Sequence, residues 1–129
     1  MTESNPASRP TVVLLVEDEP LVRMLGVDVL EDAGFTVVEA ANASEALRAL
    51  ETRTDVRVLF TDVNMPGELD GLELARVVHQ RWPDIRLLIA SGQVFPAPEE
   101  LPDSGQFVPK PWEPSAVVRR IQAMIDKAA

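Results

Sequence analysis

Runs of aliphatic and β-branched residues alternate along this chain with segments of helical spacing, and that alternation restricts the fold more than any other feature. The first run, Thr11-Val12-Val13-Leu14-Leu15-Val16, has no polar face from Val12 onward. A strand that is wet on one side alternates apolar with polar residues; an unbroken run suits a strand buried on both faces, as in a parallel sheet. Glu17-Asp18-Glu19 stops it abruptly, and Pro20 suits the first turn of a helix, where its missing N–H costs little. Leu21, Met24, Leu25, Val27 and Leu30 then keep helical spacing and are expected to face the core, until Gly34 ends the run.

The same phrase repeats. Strands are predicted over Phe35–Ala40, Val56–Thr61, Ile85–Ala90 and, more briefly, Gln106–Pro109. Between them, Asn42 or Ser44 can cap a helix carrying Ala46, Leu47 and Leu50, and Asp70 opens another that runs to Trp82. Pro114 starts a last helix with Val117, Val118, Ile121, Met124 and Ile125 inward. Crossovers of this length exclude hairpins and call for a doubly wound α/β fold, a mostly parallel sheet covered on both faces. Five strands and five helical slots fit a flavodoxin-like five-stranded parallel sheet in the order 2-1-3-4-5. The fourth slot, 92–105, holds three prolines and two glycines, so the fourth helix is expected to be short or disordered. Residues 1–10 read as a disordered lead-in, and 11–129 as one domain.

Composition closes off several classes of function. The chain of 129 residues has no Cys and a single His, which excludes thiolate metal sites, cysteine nucleophiles and His-rich metal centres. Twelve basic against twenty-one acidic residues leave a net charge of -9, so binding to nucleic acid or to an anionic membrane is not expected. No stretch approaches the roughly 20 apolar residues of a membrane span, and the polar first ten residues do not resemble a signal peptide. A cytoplasmic location is the expectation.

In a doubly wound sheet, ligands bind beyond the carboxyl ends of the strands, where the chain order reverses. Strand one ends there in Glu17 and Asp18, strand three in Asp62 and strand four in Ser91, while Lys110 follows strand five at once. Three carboxylates in one crevice repel each other unless a cation sits among them. Oxygen ligands alone select a hard ion such as Mg²⁺ over zinc or copper. A neighbouring Lys and a Ser hydroxyl suit a phosphoryl group, so the set is built for a carboxylate nucleophile, Mg²⁺ and phosphate.

Four segments carry a family resemblance: Leu15-Val16-Glu17-Asp18-Glu19, Phe60-Thr61-Asp62-Val63-Asn64-Met65-Pro66-Gly67, Ala90-Ser91-Gly92 and Phe107-Val108-Pro109-Lys110-Pro111. Each alone is weak. In this order, at the ends of strands one, three, four and five, they make the chain resemble the receiver domains of two-component response regulators, over residues 11–126. The resemblance implies that Asp62 is the phosphoacceptor for a sensor histidine kinase or histidine phosphotransfer protein. It implies Mg²⁺ held by Asp18, Asp62 and the Asn64 main-chain carbonyl, with Glu17 acting through water. It makes Lys110 and Ser91 partners of the phosphoryl oxygens, and Gly92 a small residue that leaves their approach open. It places Phe107 at an aromatic switch position coupled to Ser91, against the simpler reading of a core aromatic, and it implies a cis peptide bond before Pro111.

The expected function is therefore a stand-alone response regulator receiver that signals by binding an unknown downstream protein. It is not expected to be an enzyme beyond Mg²⁺-dependent self-phosphorylation and autodephosphorylation. Two alternatives stay open at this point. One is a phosphorylation-independent docking module. The other is an aspartyl-phosphate phosphatase, disfavoured because Asn64 occupies the place of the second acid such enzymes carry. Two lesser readings follow from spacing: His79 is a surface residue rather than a phosphodonor, and Trp112, two residues past Lys110, lies close enough to the site to report on it.

Overall fold

The computed structural model describes residues 10–65, 67, 69–92 and 105–128. In chain order the elements are β1 (Val12–Val16), α1 (Pro20–Asp32), β2 (Thr36–Ala40), α2 (Ala43–Thr52), β3 (Val56–Asp62), α3 (Gly71–Arg81), β4 (Arg86–Ser91), β5 (Gly105–Pro109) and α4 (Pro114–Ala128). The strands form a single five-stranded sheet in the order β2-β1-β3-β4-β5, with every neighbouring pair parallel. The flavodoxin-like architecture expected from the alternation is the one observed. The expected fourth helix and the lead-in before residue 10 lie outside the described residues.

The unbroken apolar run of β1 has a direct cause. All five of its residues are buried, and they alternate between two cores. Val12, Leu14 and Val16 pack with Ala46, Leu50, Leu74 and Val78, the inward residues of α2 and α3. Val13 and Leu15 point the other way, to Leu30 of α1 and to Val117, Ile121 and Met124 of α4. Both faces of this interior strand exclude water, so neither can carry polar residues. The edge strand β2 leaves Thr36 and Glu39 exposed and reads accordingly. Helix starts are set locally: Asn42 accepts the Glu45 N–H at 2.9 Å, which makes it the cap of α2, and Asp70 with Glu73 forms a reciprocal capping box at α3.

One expectation about α1 is corrected. Leu21, Met24 and Leu25 are 77%, 60% and 53% exposed, and the buried positions are Gly26 and Leu30. The helix seats on its glycine side. A Cβ on Gly26 would lie 2.9 Å from a Leu15 methyl, which would have to turn aside to admit it. Arg23, half-buried beside that face, is bonded toward the sheet. Helical spacing shows that a stripe exists; it does not say which of two adjacent stripes meets the sheet.

Candidate functional site

The carboxyl ends of β1, β3, β4 and β5 meet along one edge, because parallel pairing sets Val16 beside Thr61, Asp62 beside Ala90 and Ser91 beside Pro109. The order reverses at β1, which has β2 on one side and β3 on the other. The residues that follow these strand ends therefore face one another across a crevice.

Glu17 and Asp62 are buried there, 4% and 7% exposed, while Asp18 is half-buried. One carboxylate oxygen from each of the three lies within 4.8 Å of the others. Lys110 Nζ sits between two of them, donating to Asp62 Oδ2 at 3.0 Å and Glu17 Oε1 at 3.3 Å. The remaining oxygens take main-chain donors: Glu17 Oε2 accepts from Glu19 N–H at 3.1 Å, and Asp62 Oδ1 from Asn64 N–H at 3.3 Å. The cation that relieves the crowded acids is thus supplied by the chain itself.

The titration behaviour of the two charges follows from this geometry. Burial pushes the Glu17 carboxyl above its usual range; the Glu19 N–H and Lys110 oppose that shift, and the Asp62 charge adds to it. Burial alone would lower Lys110, but its hydrogen bond to Asp62 and the charges of Asp62 and Glu17 outweigh it, and the ammonium is held above its ordinary value. The asymmetry has a simple origin. At Lys110 two anions outweigh burial, whereas at Glu17 burial prevails over the Glu19 N–H and the single cation it shares with Asp62.

The other sequence-predicted residues fall along the same edge. Ser91 is fully buried at the end of β4, and its carbonyl accepts the Lys110 N–H at 2.9 Å. Gly92 is open: an added Cβ would meet Lys110 Cβ only at 3.6 Å. Phe107 is half-buried on β5, and the Lys110–Pro111 peptide is cis. Trp112 stacks edge-on against Phe60, ring centroids 5.8 Å apart, and the two line a cavity of about 10 Å³ with Glu17, Asp62 and Val22. His79 is half-buried on α3 rather than exposed, away from this edge.

Two positions escaped the sequence reading. Arg23 donates from Nη1 to the Glu17 carbonyl at 2.7 Å and from Nε to Glu39 Oε1 at 3.2 Å, strapping the end of β1 to α1 and β2. Gly71, the first residue of α3, is buried against the end of β3. A basic residue beside the seated face of α1, between Val22 and Gly26, was the available sign of the first. A glycine directly after a helix cap was the sign of the second.

The model of the response regulator receiver domain matches residues 13–122. The chain belongs to the response regulator receiver domain family. The response regulator receiver protein CpdR of Brucella abortus is 33% identical to it over 118 residues, which are 88% of this chain and 95% of that protein. A segment of the sensor kinase CckA of the same organism is 39% identical over 124 residues, 93% of this chain and 13% of the kinase. The receiver thus spans nearly all of one relative and about an eighth of the other. The crystal structure of a CheY-like receiver domain protein from Methanospirillum hungatei superposes with a TM-score of 0.80 at 22% identity, covering 92% of this chain and 96% of that one. Among the described residues of the receiver, the acid cluster could hold a metal ion: its donors are all oxygen, which fits a hard divalent cation. Among the described residues, no helix is long and apolar enough to cross a membrane.

Proposed function

We propose that this receiver accepts a phosphoryl group on Asp62 from the phosphohistidine of a sensor kinase or phosphotransfer protein, and signals by binding a further protein in the cytoplasm. The observation that carries the reading is the contact of Lys110 Nζ with Asp62 Oδ2 within a three-acid cluster. An Asp62 oxygen attacks phosphorus, the P–N bond breaks, and the imidazole leaves with its electron pair and takes a proton. Lys110, already on the acceptor carboxylate, would follow the charge onto a phosphoryl oxygen, and the Ser91 hydroxyl would hydrogen-bond another. Asp18, Asp62 and the Asn64 carbonyl would hold Mg²⁺, with Glu17 acting through water. Bound there, the metal supplies positive charge against the transferring oxygens. Beyond self-phosphorylation and autodephosphorylation, no turnover of a free substrate is part of this reading.

The exposed row Leu21, Met24 and Leu25 begins one residue past Pro20, close to the acids in sequence and on the wet face of α1. It suits the apolar face of a helix that carries the donor histidine, brought against the crevice from that side. Intact-mass analysis after incubation with acetyl phosphate tests the chemistry. One phosphoryl adduct that needs Mg²⁺ and disappears in Asp62→Asn is expected. A receiver that takes no label from acetyl phosphate or from a phosphorylated donor, yet still binds a kinase, would instead be a docking module.

A further inference from the structure

We propose that Gly71 is a positioning residue for the acceptor site: it lets α3 close directly onto the last turn of β3 and so sets where Asp62 and Asn64 stand. The inference rests on the acid site being the Mg²⁺ and phosphoryl site argued above. Asp62 ends β3, and Val63 continues the pairing by donating its N–H to the Ala90 carbonyl at 2.9 Å. The Gly71 N–H in turn donates to the Val63 carbonyl at 2.8 Å. That bond closes a loop whose two ends are Val63 and Gly71, and the Asn64 carbonyl lies inside it.

The closure leaves no space for a side chain. A Cβ on Gly71 would collide with the main-chain oxygen of Asp62, and would stand 2.6 Å from its carbonyl carbon and 2.9 Å from Val63 Cα. All three are backbone atoms, which cannot rotate away as the tip of a side chain can. Backbone torsion is not the reason for glycine here, because Gly71 is not among the positive-φ positions of the described chain. Contact is the reason. Any other residue must lift the start of α3 from the strand end or push the Asp62–Asn64 segment outward.

The start of α3 is stiff in its own right. Asp70 accepts the Glu73 N–H at 2.9 Å, Glu73 returns the bond to the Asp70 N–H at 3.0 Å, and Leu74 N–H reaches the Asp70 carbonyl at 2.9 Å. Leu74, Ala75 and Val78 anchor the same helix in the core. A displacement at residue 71 therefore falls on the backbone it contacts, Asp62 and Val63, and on Asn64 next to them. Misplacing a reacting group by about 1 Å costs on the order of 10²-fold in rate, and the contacted Asp62 and nearby Asn64 carry two of the expected Mg²⁺ donors.

The test is Mg²⁺ affinity by calorimetry, with melting temperature and far-ultraviolet dichroism as folding controls, on wild type, Gly71→Ala and Val78→Ala. Val78 is fully buried on the same helix two turns away, so its truncation loosens α3 without touching the strand end. Gly71→Ala is expected to weaken Mg²⁺ binding at least tenfold and to slow labelling by acetyl phosphate. Val78→Ala should bind Mg²⁺ within twofold of wild type even if its melting temperature falls as far. Equal Mg²⁺ affinity in Gly71→Ala and wild type overturns the inference alone, as does an equal loss in Val78→Ala. Absence of Mg²⁺ binding in the wild type overturns the metal site and this inference together. If Gly71→Ala does not fold, Asp70→Ala keeps the glycine contact but releases the cap and should bind Mg²⁺ within threefold of wild type; a larger loss at unchanged folding would assign the positioning to the cap and overturn the inference.

Discussion

Replacing Lys110 with Met removes one charge and keeps most of an unbranched apolar stem, which isolates the ammonium as the internal counter-ion of the acid cluster. Its Nζ lies 3.0 Å from Asp62 Oδ2 and 3.3 Å from Glu17 Oε1. At an effective dielectric of about 20, each contact is a gross attraction of about 5 kcal/mol, most of which is offset by taking the charges out of water. Removing one partner of a buried pair costs about 3–5 kcal/mol, because the other is left uncompensated. Lys110 keeps 23% of its side-chain exposure, so water screens part of the charge that its removal uncovers, which favours the lower end, about 3 kcal/mol. The unfolding entropy of a chain this long is about 0.27 kcal/mol/K, so the Tm of Lys110→Met should fall by about 10 °C in EDTA at neutral pH.

Mg²⁺ should narrow that gap. Ligand at about 100 times its Kd adds about 2.7 kcal/mol to the folded state. Wild type must loosen the Lys110 contacts to receive the metal, whereas the variant meets it with unpaired acids, so the variant gains more. Thermal melts followed by dichroism, with EDTA and with Mg²⁺, measure both effects. A fall of less than about 3 °C without metal would reduce Lys110 to an ordinary exposed ion pair. Equal Mg²⁺ gains in the two proteins would refute the idea that lysine and metal share the same oxygens.

Glu17 gives the pH dependence its sign. Its folded pKa is raised above 4.5, so its contribution to stability is fully present below that value and lost as pH rises through the folded pKa. In EDTA, lowering the pH from 7 toward 5 should recover part of that stability, and Glu17→Gln should be more stable than wild type at pH 7 with a flatter profile. Identical profiles would remove the burial argument. The seating of α1 is checked by a contrast: Leu30→Ala, fully buried, should cost about 2–5 kcal/mol, and Leu25→Ala should stay within about 0.5 kcal/mol of wild type. Leu25→Asp should leave labelling by acetyl phosphate unchanged and slow transfer at least tenfold from a phosphorylated histidine phosphotransfer protein that labels the wild type. Equal slowing with both donors would place the effect in the site chemistry and not in docking.

Much of the molecule is legible before any coordinates. The βα alternation specifies the parallel sheet, since a central strand dry on both faces cannot alternate and its crossovers cannot be hairpins. The acids after β1 and β3 and the lysine after β5 follow from that, because parallel strands deliver their carboxyl ends to one edge. The sequence by itself thus determined which residues meet. Only the tertiary structure decided how they are held. Lys110 lies on Asp62 and Glu17 because residues 93 positions apart are brought within 3.3 Å, and no local pattern encodes that distance. Gly26 and Leu30 form the seated face of α1, with Arg23 bonded to the end of β1, and leave Leu21, Met24 and Leu25 wet, because the sheet meets only one of two adjacent stripes. Gly71 acquires its role from a backbone contact between a strand end and a helix start. Periodicity reports what each element prefers to bury; contacts between elements decide which preference is met.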